Sequence, residues 1–345
     1  MVSALKHDDP DRIGGKPWLL PIGTPIGSMH WLRDDLPWVK DYLGLDEILS
    51  CFTPGIAGTI AWGGRIGSKI TKAIAIARFL PHWRLEDGFL RSVGLGKSGS
   101  LPLSIVVDDL GLSTDASAAS RLERLIAEAD DADAGLGADV KDAIVRHGLS
   151  KYNHLPDNEP RFEQSGRRRI LLVDQVRGDV SVPRSLGSEK SFELMLDEAL
   201  ATGAHCIVRT HPDVIAGYRR GYLTEIAAGR SGVELSSEPV SAAAILKAVD
   251  EVWTVASQFG FDALLRGVPV RCYAAPFYSG WGLTEDRMSS KARRTIARRR
   301  VVTRSVDHLA AAAFIHYPVY RNPETWEATD VFRTIEAIVA GRKAL

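Results

Sequence analysis

The chain has 345 residues, with 43 Lys+Arg against 43 Asp+Glu, no formal net charge and a pI near 7.1. That balance gives no reason to expect a nucleic-acid partner, and 45% apolar with 8% aromatic residues excludes a disordered chain. Cys51, Cys206 and Cys272 are far apart and form no CxxC pair, so neither a disulfide framework nor a zinc site is expected, and a reducing cytoplasm is the expected compartment.

Residues 1–50 read as an irregular lead-in, rich in Pro and Gly over the first thirty, with no signal-peptide core. No apolar run approaches the roughly 18 residues of a membrane span. From Gly55 the pattern becomes α/β. Residues 57–62 read as a strand and 63–67 as a turn. A helix over 68–80 is predicted with Ile70, Ala73, Ile74 and Ala77 on its apolar face. A second strand leads into Glu86-Asp87-Gly88 and a third, 103–107, into Asp108-Asp109. Helices over 118–128 and 138–148 complete a first half, assigned to residues 51–160. The polar, proline-bearing stretch 151–168 reads as a linker.

A second half, assigned to 165–305, opens with the apolar run 169–173, which ends at Asp174. A helix near 191–202, the strand 206–209 before His211-Pro212 and a helix over 242–248 follow. Strands 251–255 and 268–272 then flank a helix over 259–265. Residues 306–345 are expected to be helices, placed as packing back on the first half. Strands alternating with helices at this spacing predict parallel sheets in two Rossmann-like domains around a central cleft.

Ligands of open parallel sheets collect beyond the carboxyl ends of the strands. Glu86-Asp87, Asp174, His211 and Ser257 all fall at such ends. Each alone could simply cap the next helix; four together point to a site. Ser257-Gln258-Phe-Gly260-Phe-Asp262 reads as a loop entering a helix, where backbone N–H groups favour a phosphate and Asp262 could reach a ribose. The proline of His211-Pro212 turns His211 out of helical geometry. In Asp174-Gln-Val-Arg177-Gly-Asp179, two acids and a cation flank a glycine turn, suited to an oxocarbenium-like reaction or to a salt-bridged turn. The aromatic-glycine loop 276–286 reads as a sugar-pocket lining. Lys291, Arg293, Arg294 and Arg298–Arg300 form a basic run that could meet an anionic acceptor or lipid headgroups. Neither GxGxxG nor a P-loop sequence occurs, which argues against NAD binding and NTPase activity.

The chain resembles the capsule polysaccharide biosynthesis proteins of the KpsC type, bacterial retaining β-Kdo transferases. The resemblance runs over about residues 55–320. It is carried by Trp62-Gly-Gly-Arg65, Leu85-Glu-Asp-Gly-Phe-Leu-Arg-Ser-Val-Gly-Leu-Gly96, Pro102 to Gly111, Val173-Asp-Gln175 with Gly178-Asp179, Thr210-His-Pro-Asp213, Ser257 to Leu264 and Pro276 to Thr284. It implies a GT-B-like fold and transfer of Kdo from CMP-β-Kdo, with retention, to an anionic glycolipid or Kdo-bearing acceptor. It also implies a cytoplasmic protein in peripheral contact with the inner membrane, with no metal or cofactor. Carried over, Glu86 is the acid/base with Asp87 beside it, and Asp179 the nucleophile with Asp174 as second candidate. His211, Pro212, Ser257, Gln258, Gly260 and Asp262 face the CMP. Arg91, Arg177 and Arg65 are available for the Kdo carboxylate or acceptor. Three departures stand out: Asp262 where Glu is usual, Arg209 in place of Lys, and Leu112-Ser-Thr114 in place of an aromatic pair. An inverting CMP-sialic acid type transferase and a non-catalytic polysaccharide-binding or export scaffold are the competing expectations.

Overall fold

A computed structural model describes residues 16–19, 23–64, 66–94 and 99–343. Arg65 lies outside them, as do Leu95 and Gly96 of the motif. In chain order the first strands are β1 (Ile26–Ser28), β2 (Ile48–Ser50), β3 (Gly58–Trp62), β4 (His82–Asp87) and β5 (Ser104–Asp108). Then come β6 (Arg169–Val173), β7 (His205–Arg209), β8 (Val233–Ser236), β9 (Glu251–Thr254), β10 (Val270–Cys272) and β11 (Glu285–Asp286), and β12 (Pro318–Tyr320) ends the series.

They make two six-stranded sheets. The second runs β11-β10-β9-β6-β7-β8 and is parallel throughout. Its order reverses between β6 and β9, which opens a crevice at their carboxyl ends. The first runs β12-β5-β4-β3-β1-β2; β1 to β4 are parallel, while β5 is antiparallel to both β4 and β12. Among the described residues between β4 and β5 there is no crossover helix of the kind that parallel neighbours need, and the pair is antiparallel. Gly88 permits this return: a Cβ there would fall 2.0 Å from Ser104 Oγ.

Several expectations need correction, beginning with residues 306–345, which are not all helical because β12 lies among them. The lead-in is not irregular throughout: it holds β1 and β2 and the helices His30–Asp35 and Trp38–Leu43, whose Val39, Tyr42 and Leu43 are buried. Strands of three residues are too short to show a period of two, so pattern reading passes over them. The helix Ile66–Ala77 buries Ser68, Thr71 and Ala75, not the predicted face, and leaves Ile66 (77%) and Ile76 (65%) exposed. Small and hydroxyl side chains face the sheet because they fit closely there, with Ser68 Oγ donating to Trp62 O (2.7 Å). The aromatic-glycine loop is core: Phe277, Tyr278 and Trp281 are buried, and Trp281 Nε1 donates to Phe277 O (2.8 Å).

The stretch read as a linker is anchored to both halves. Asn153 Nδ2 donates to Ser92 O (3.0 Å), Ser241 N to Pro156 O (2.8 Å), and Phe162 is buried. Phe89, just past β4, packs against Phe261 and Phe277 of the second half and against Phe314 and Tyr317 near β12, at centroid distances of 5.0–6.5 Å. No helix among the described residues is long and apolar enough to cross a membrane.

Candidate active site

A cavity of about 520 Å³ opens where β4, β6, β7 and β9 end. That volume suits a small organic ligand. Of the residues singled out from sequence, Asp87, Arg91, Asp174, His211, Pro212, Ser257 and Gln258 line it. Glu86, Asp179, Arg177, Gly260 and Asp262 do not.

Neighbouring residues on a strand face opposite ways, and the two acids ending β4 are accordingly in different company. Asp87 Oδ1 accepts from Arg91 Nε (2.8 Å), and Lys151 Nζ lies 3.7 Å from its Oδ2. Glu86 is half-buried, and its side chain forms no hydrogen bond or ion pair among the described residues. Burial raises its carboxyl above the usual range; Lys151, Arg184 and Arg84 pull against this and Asp87 adds to it. A Cβ on Gly63 would lie 3.4 Å from Glu86 Oε1, and one on Gly64 would fall 1.3 Å from Arg184 Nη2. Gly64 therefore leaves room for a guanidinium reaching over from the second half, while Gly63 takes a positive φ of 62° beside Glu86.

The two acids of the β6 loop differ as sharply. Asp174 is buried and accepts four hydrogen bonds, from Gln175 N (2.8 Å), Leu223 N (2.7 Å), Thr224 N (3.0 Å) and Thr224 Oγ1 (2.5 Å). It caps the helix Leu223–Ala227, and its oxygens have little capacity left. Asp179 accepts from Ser181 N (2.8 Å) and Gln175 Nε2 (3.0 Å) and stays half-exposed. Gln175 ties the loop together, its Oε1 accepting from Ala256 N (2.9 Å) beside Ser257. Arg177, a candidate for substrate carboxylate, is already held by Glu189 (2.6 Å) and Glu225 (3.0 Å). Arg91 is engaged too, donating to Asp87, to Ser92 Oγ (2.9 Å) and to Ser100 O (2.9 Å).

His211 caps the short helix Pro212–Ile215, its Nδ1 accepting from Asp213 N (3.1 Å), which leaves the proton of a neutral ring on Nε2. Ser257 Oγ accepts from Phe259 N (3.2 Å) at the start of the helix Phe259–Leu265. Gln258 Nε2 reaches Phe89 O (3.4 Å) across the cleft. The smallness of Gly260 serves Tyr278, whose hydroxyl would lie 2.3 Å from a Cβ there. Asp262 is buried, and burial pushes its carboxyl up to about 6 against the pull of Arg266, Arg209 and Lys151.

Sequence reading missed part of the wall. Lys151 and Tyr152 sat inside the supposed linker, and Arg209 was noted only as a replaced Lys. Arg209 ends β7 and lies over the Phe259 ring at 5.2 Å. Among the described residues no carboxylate pairs with it, and burial pulls its guanidinium down to about 10 while Asp262 opposes. Such a cation gains most from an incoming anion. Arg209, Lys151, Tyr152 and Phe259 also border a second, largely apolar cavity of about 440 Å³ that continues to Ser236, Ser237, Glu238 and Pro239 after β8. A hydroxyl-bearing turn following a strand was the only signal for that extension.

The family model described as capsule polysaccharide biosynthesis protein matches residues 59–320. The chain belongs to that family. It is 39% identical over 292 residues to the capsule polysaccharide modification protein LipA of Neisseria meningitidis serogroup B, covering 82% of this chain and 41% of LipA. The lipopolysaccharide-processing protein LpsZ of Rhizobium meliloti is 36% identical over 323 residues, covering 87% of this chain and 70% of LpsZ. The chain thus spans about two fifths of the LipA relative. Among solved structures it superposes on the β-Kdo 2,4 transferase of Thermosulfurimonas dismutans KpsC with a TM-score of 0.83 at 33% identity, over 92% of this chain and 98% of that one. The β-Kdo 2,7 transferase of the same protein gives 0.70 at 24% identity over 93% and 99%, a likeness of fold. Within the family the fold is therefore that of a KpsC transferase module.

Proposed function

We propose that this chain is a glycosyltransferase module that moves Kdo from CMP-β-Kdo to a Kdo-bearing or anionic glycolipid acceptor, forming a β-(2→4) linkage with retention. The observation that carries the reading is the cavity at the strand ends, where Arg91, Lys151, Arg209 and His211 line one space together with Asp87. A CMP-Kdo donor brings two anions, a phosphate and a sugar carboxylate, and basic groups in this number match them. The likeness to the 2,4 transferase supports the linkage.

In this reading the phosphate meets Arg209, the Nε2–H of His211 and the Ser257 loop. The nucleoside extends into the neighbouring cavity, and Kdo turns toward β4. A carboxylate oxygen of Asp179 bonds to C2 of Kdo as the C2–phosphate bond breaks, and CMP leaves with the electron pair. The acceptor hydroxyl then attacks C2 as the Asp179–C2 bond breaks, and Glu86 takes the hydroxyl proton. Two inversions retain the configuration. The split between the acids supports these roles. Asp179 has oxygen capacity to spare where Asp174 has four donors, and Glu86 has the raised carboxyl of an acid/base where Asp87 is pinned by two cations. Arg184, shortly after Asp179 in the chain, is among the cations that favour the Glu86 anion.

The test is to incubate the protein with CMP-Kdo and Kdo-terminated glycolipids, then read product mass, linkage and anomer by NMR. A β-(2→4) product is expected. An α-linked product sinks retention, and a β product at another position sinks the linkage. Glu86→Gln is expected to lower turnover ~10²–10⁴-fold while melting no lower than the parent, and Asp179→Ala to abolish transfer; full turnover in either removes that assignment.

A further inference from the structure

At the end of the second sheet away from the cavity, three potential ligands from distant positions come together. His205 opens β7, Glu234 lies on the adjacent β8, and Glu163 belongs to the stretch that crosses over them. One donor atom from each lies within 4.8 Å of the others. In the parallel register Ile207 faces Glu234, so His205, two residues earlier, is the diagonal neighbour on the same face. Glu163 N donates to Glu234 Oε2 (3.0 Å), which fixes the crossing stretch there.

The imidazole supplies a second, independent observation. His205 is 1% exposed, and its Nε2 lies 2.9 Å from Glu234 Oε2, out of line for a hydrogen bond. Neither ring nitrogen has a hydrogen-bond partner of acceptable geometry. Buried polar atoms are nearly always satisfied, and an ion pair with Glu234 would seal in an imidazolium whose Nε2–H is poorly aligned with the carboxylate and whose Nδ1–H meets no acceptor among the described residues. A cation between Nε2 and the carboxylates removes that penalty by accepting the nitrogen lone pair. Nδ1 lacks an acceptor in either case and does not separate the two.

We propose that Glu163, His205 and Glu234 form a structural site for one divalent cation of the zinc type. One imidazole and two carboxylates suit zinc, with water as fourth ligand. Small side-chain rotations bring the three atoms to bond lengths of about 2.0–2.2 Å. The cation pins residues 161–163 to the β7–β8 pair, a clasp far from the transfer chemistry. Along β7, the four steps from His205 to Arg209 at the cavity span about 13 Å. Spacing alone cannot reveal the site, because its ligands come from positions 163, 205 and 234.

Purified full-length protein, stripped with chelator and dialysed, would be titrated with Zn²⁺ by calorimetry, with metal analysis after gel filtration. One equivalent is expected at micromolar or tighter Kd, with a rise in melting temperature of several degrees. Glu163 is exposed, so Glu163→Gln should fold normally without metal yet bind at least tenfold more weakly and lose the thermal shift. Glu234→Gln should do the same. Absence of a one-to-one complex, or undiminished binding in both variants, overturns the proposal. A transferase assay on metal-free protein is read separately, so failure here leaves the proposed activity standing.

Discussion

Asp262 shows how burial and charge compete at a single side chain. Its carboxyl is 6% exposed and pushed up to about 6 by burial, although Arg266, Arg209 and Lys151 all favour the anion. A carboxyl whose folded pKa exceeds its unfolded value of 3.8 binds protons more tightly in the folded state. It is neutral and harmless at low pH, and it opposes folding progressively as pH rises from 3.8 to about 6. Above that window the penalty is complete, of order 2–3 kcal/mol. Asp262→Asn should therefore melt higher than the parent at pH 7.5, with the gap closing between pH 6 and 4. A gap that does not change with pH would show that the amide acts by shape. Glu86 shares the direction of shift, so transfer that needs its carboxylate should decline as pH falls through a value above the ordinary glutamate range.

Among the elements, the helix Asp131–Arg146 carries an internal control. Gly137 lies where the helix Val306–Ala310 crosses it, and a Cβ there would fall 1.8 Å from Asp307 O and 3.0 Å from Ala311 N. Gly135, two residues earlier, faces open space. Alanine is the better helix former by about 1 kcal/mol at both positions. Gly135→Ala should accordingly stabilise by about that amount. Gly137→Ala should destabilise by about 1–3 kcal/mol, because backbone atoms cannot give way as a flexible side chain can. Chemical denaturation of the pair measures the difference directly; equal shifts would deny the close crossing.

The same logic explains which elements were legible. β6, β7 and β9 announce themselves because each is an apolar run buried on both faces, as parallel central strands must be. β1 and β2 do not, being three residues long. The helix Ile66–Ala77 misled because its larger apolar residues point outward. Asp87, His211 and Ser257 were legible since strand ends mark ligand crevices. Lys151 and Arg209 were not, because only tertiary packing brings a connecting stretch outside the regular elements and a strand terminus to the same wall. The roles of paired acids such as Asp174 and Asp179 depend on which donors surround each, and that is invisible in one dimension.

Across the whole molecule, the basic run changes meaning. Arg300 is 8% exposed and donates to Glu123 Oε1 (2.8 Å), Pro276 O (2.6 Å) and Ser279 O (2.9 Å). Arg299 Nε takes Glu123 Oε2 (2.8 Å) and its Nη2 takes Ala116 O (2.6 Å). Two of the arginines offered to an anionic surface thus join the two halves, while Lys291, Arg293, Arg294 and Arg298 stay exposed. Glu123→Ala should destabilise by about 3–5 kcal/mol, since it strands a buried guanidinium. Arg298→Ala should leave the melting temperature within a degree or so. Comparable losses in both would mean that the join does not matter to stability.

β12 carries a practical consequence. It covers the outer edge of β5, and the helix Val331–Lys343 returns to donate from Arg342 to His147 O (2.9 Å) and Asp157 (2.6 Å). The first sheet is therefore completed by the last part of the sequence, and no single cut yields two self-sufficient pieces. A fragment ending near residue 160 would present β5 as a bare edge ready to pair with its own copies. Anyone dissecting this module would keep 318–343 in the same molecule, or graft that stretch back by circular permutation.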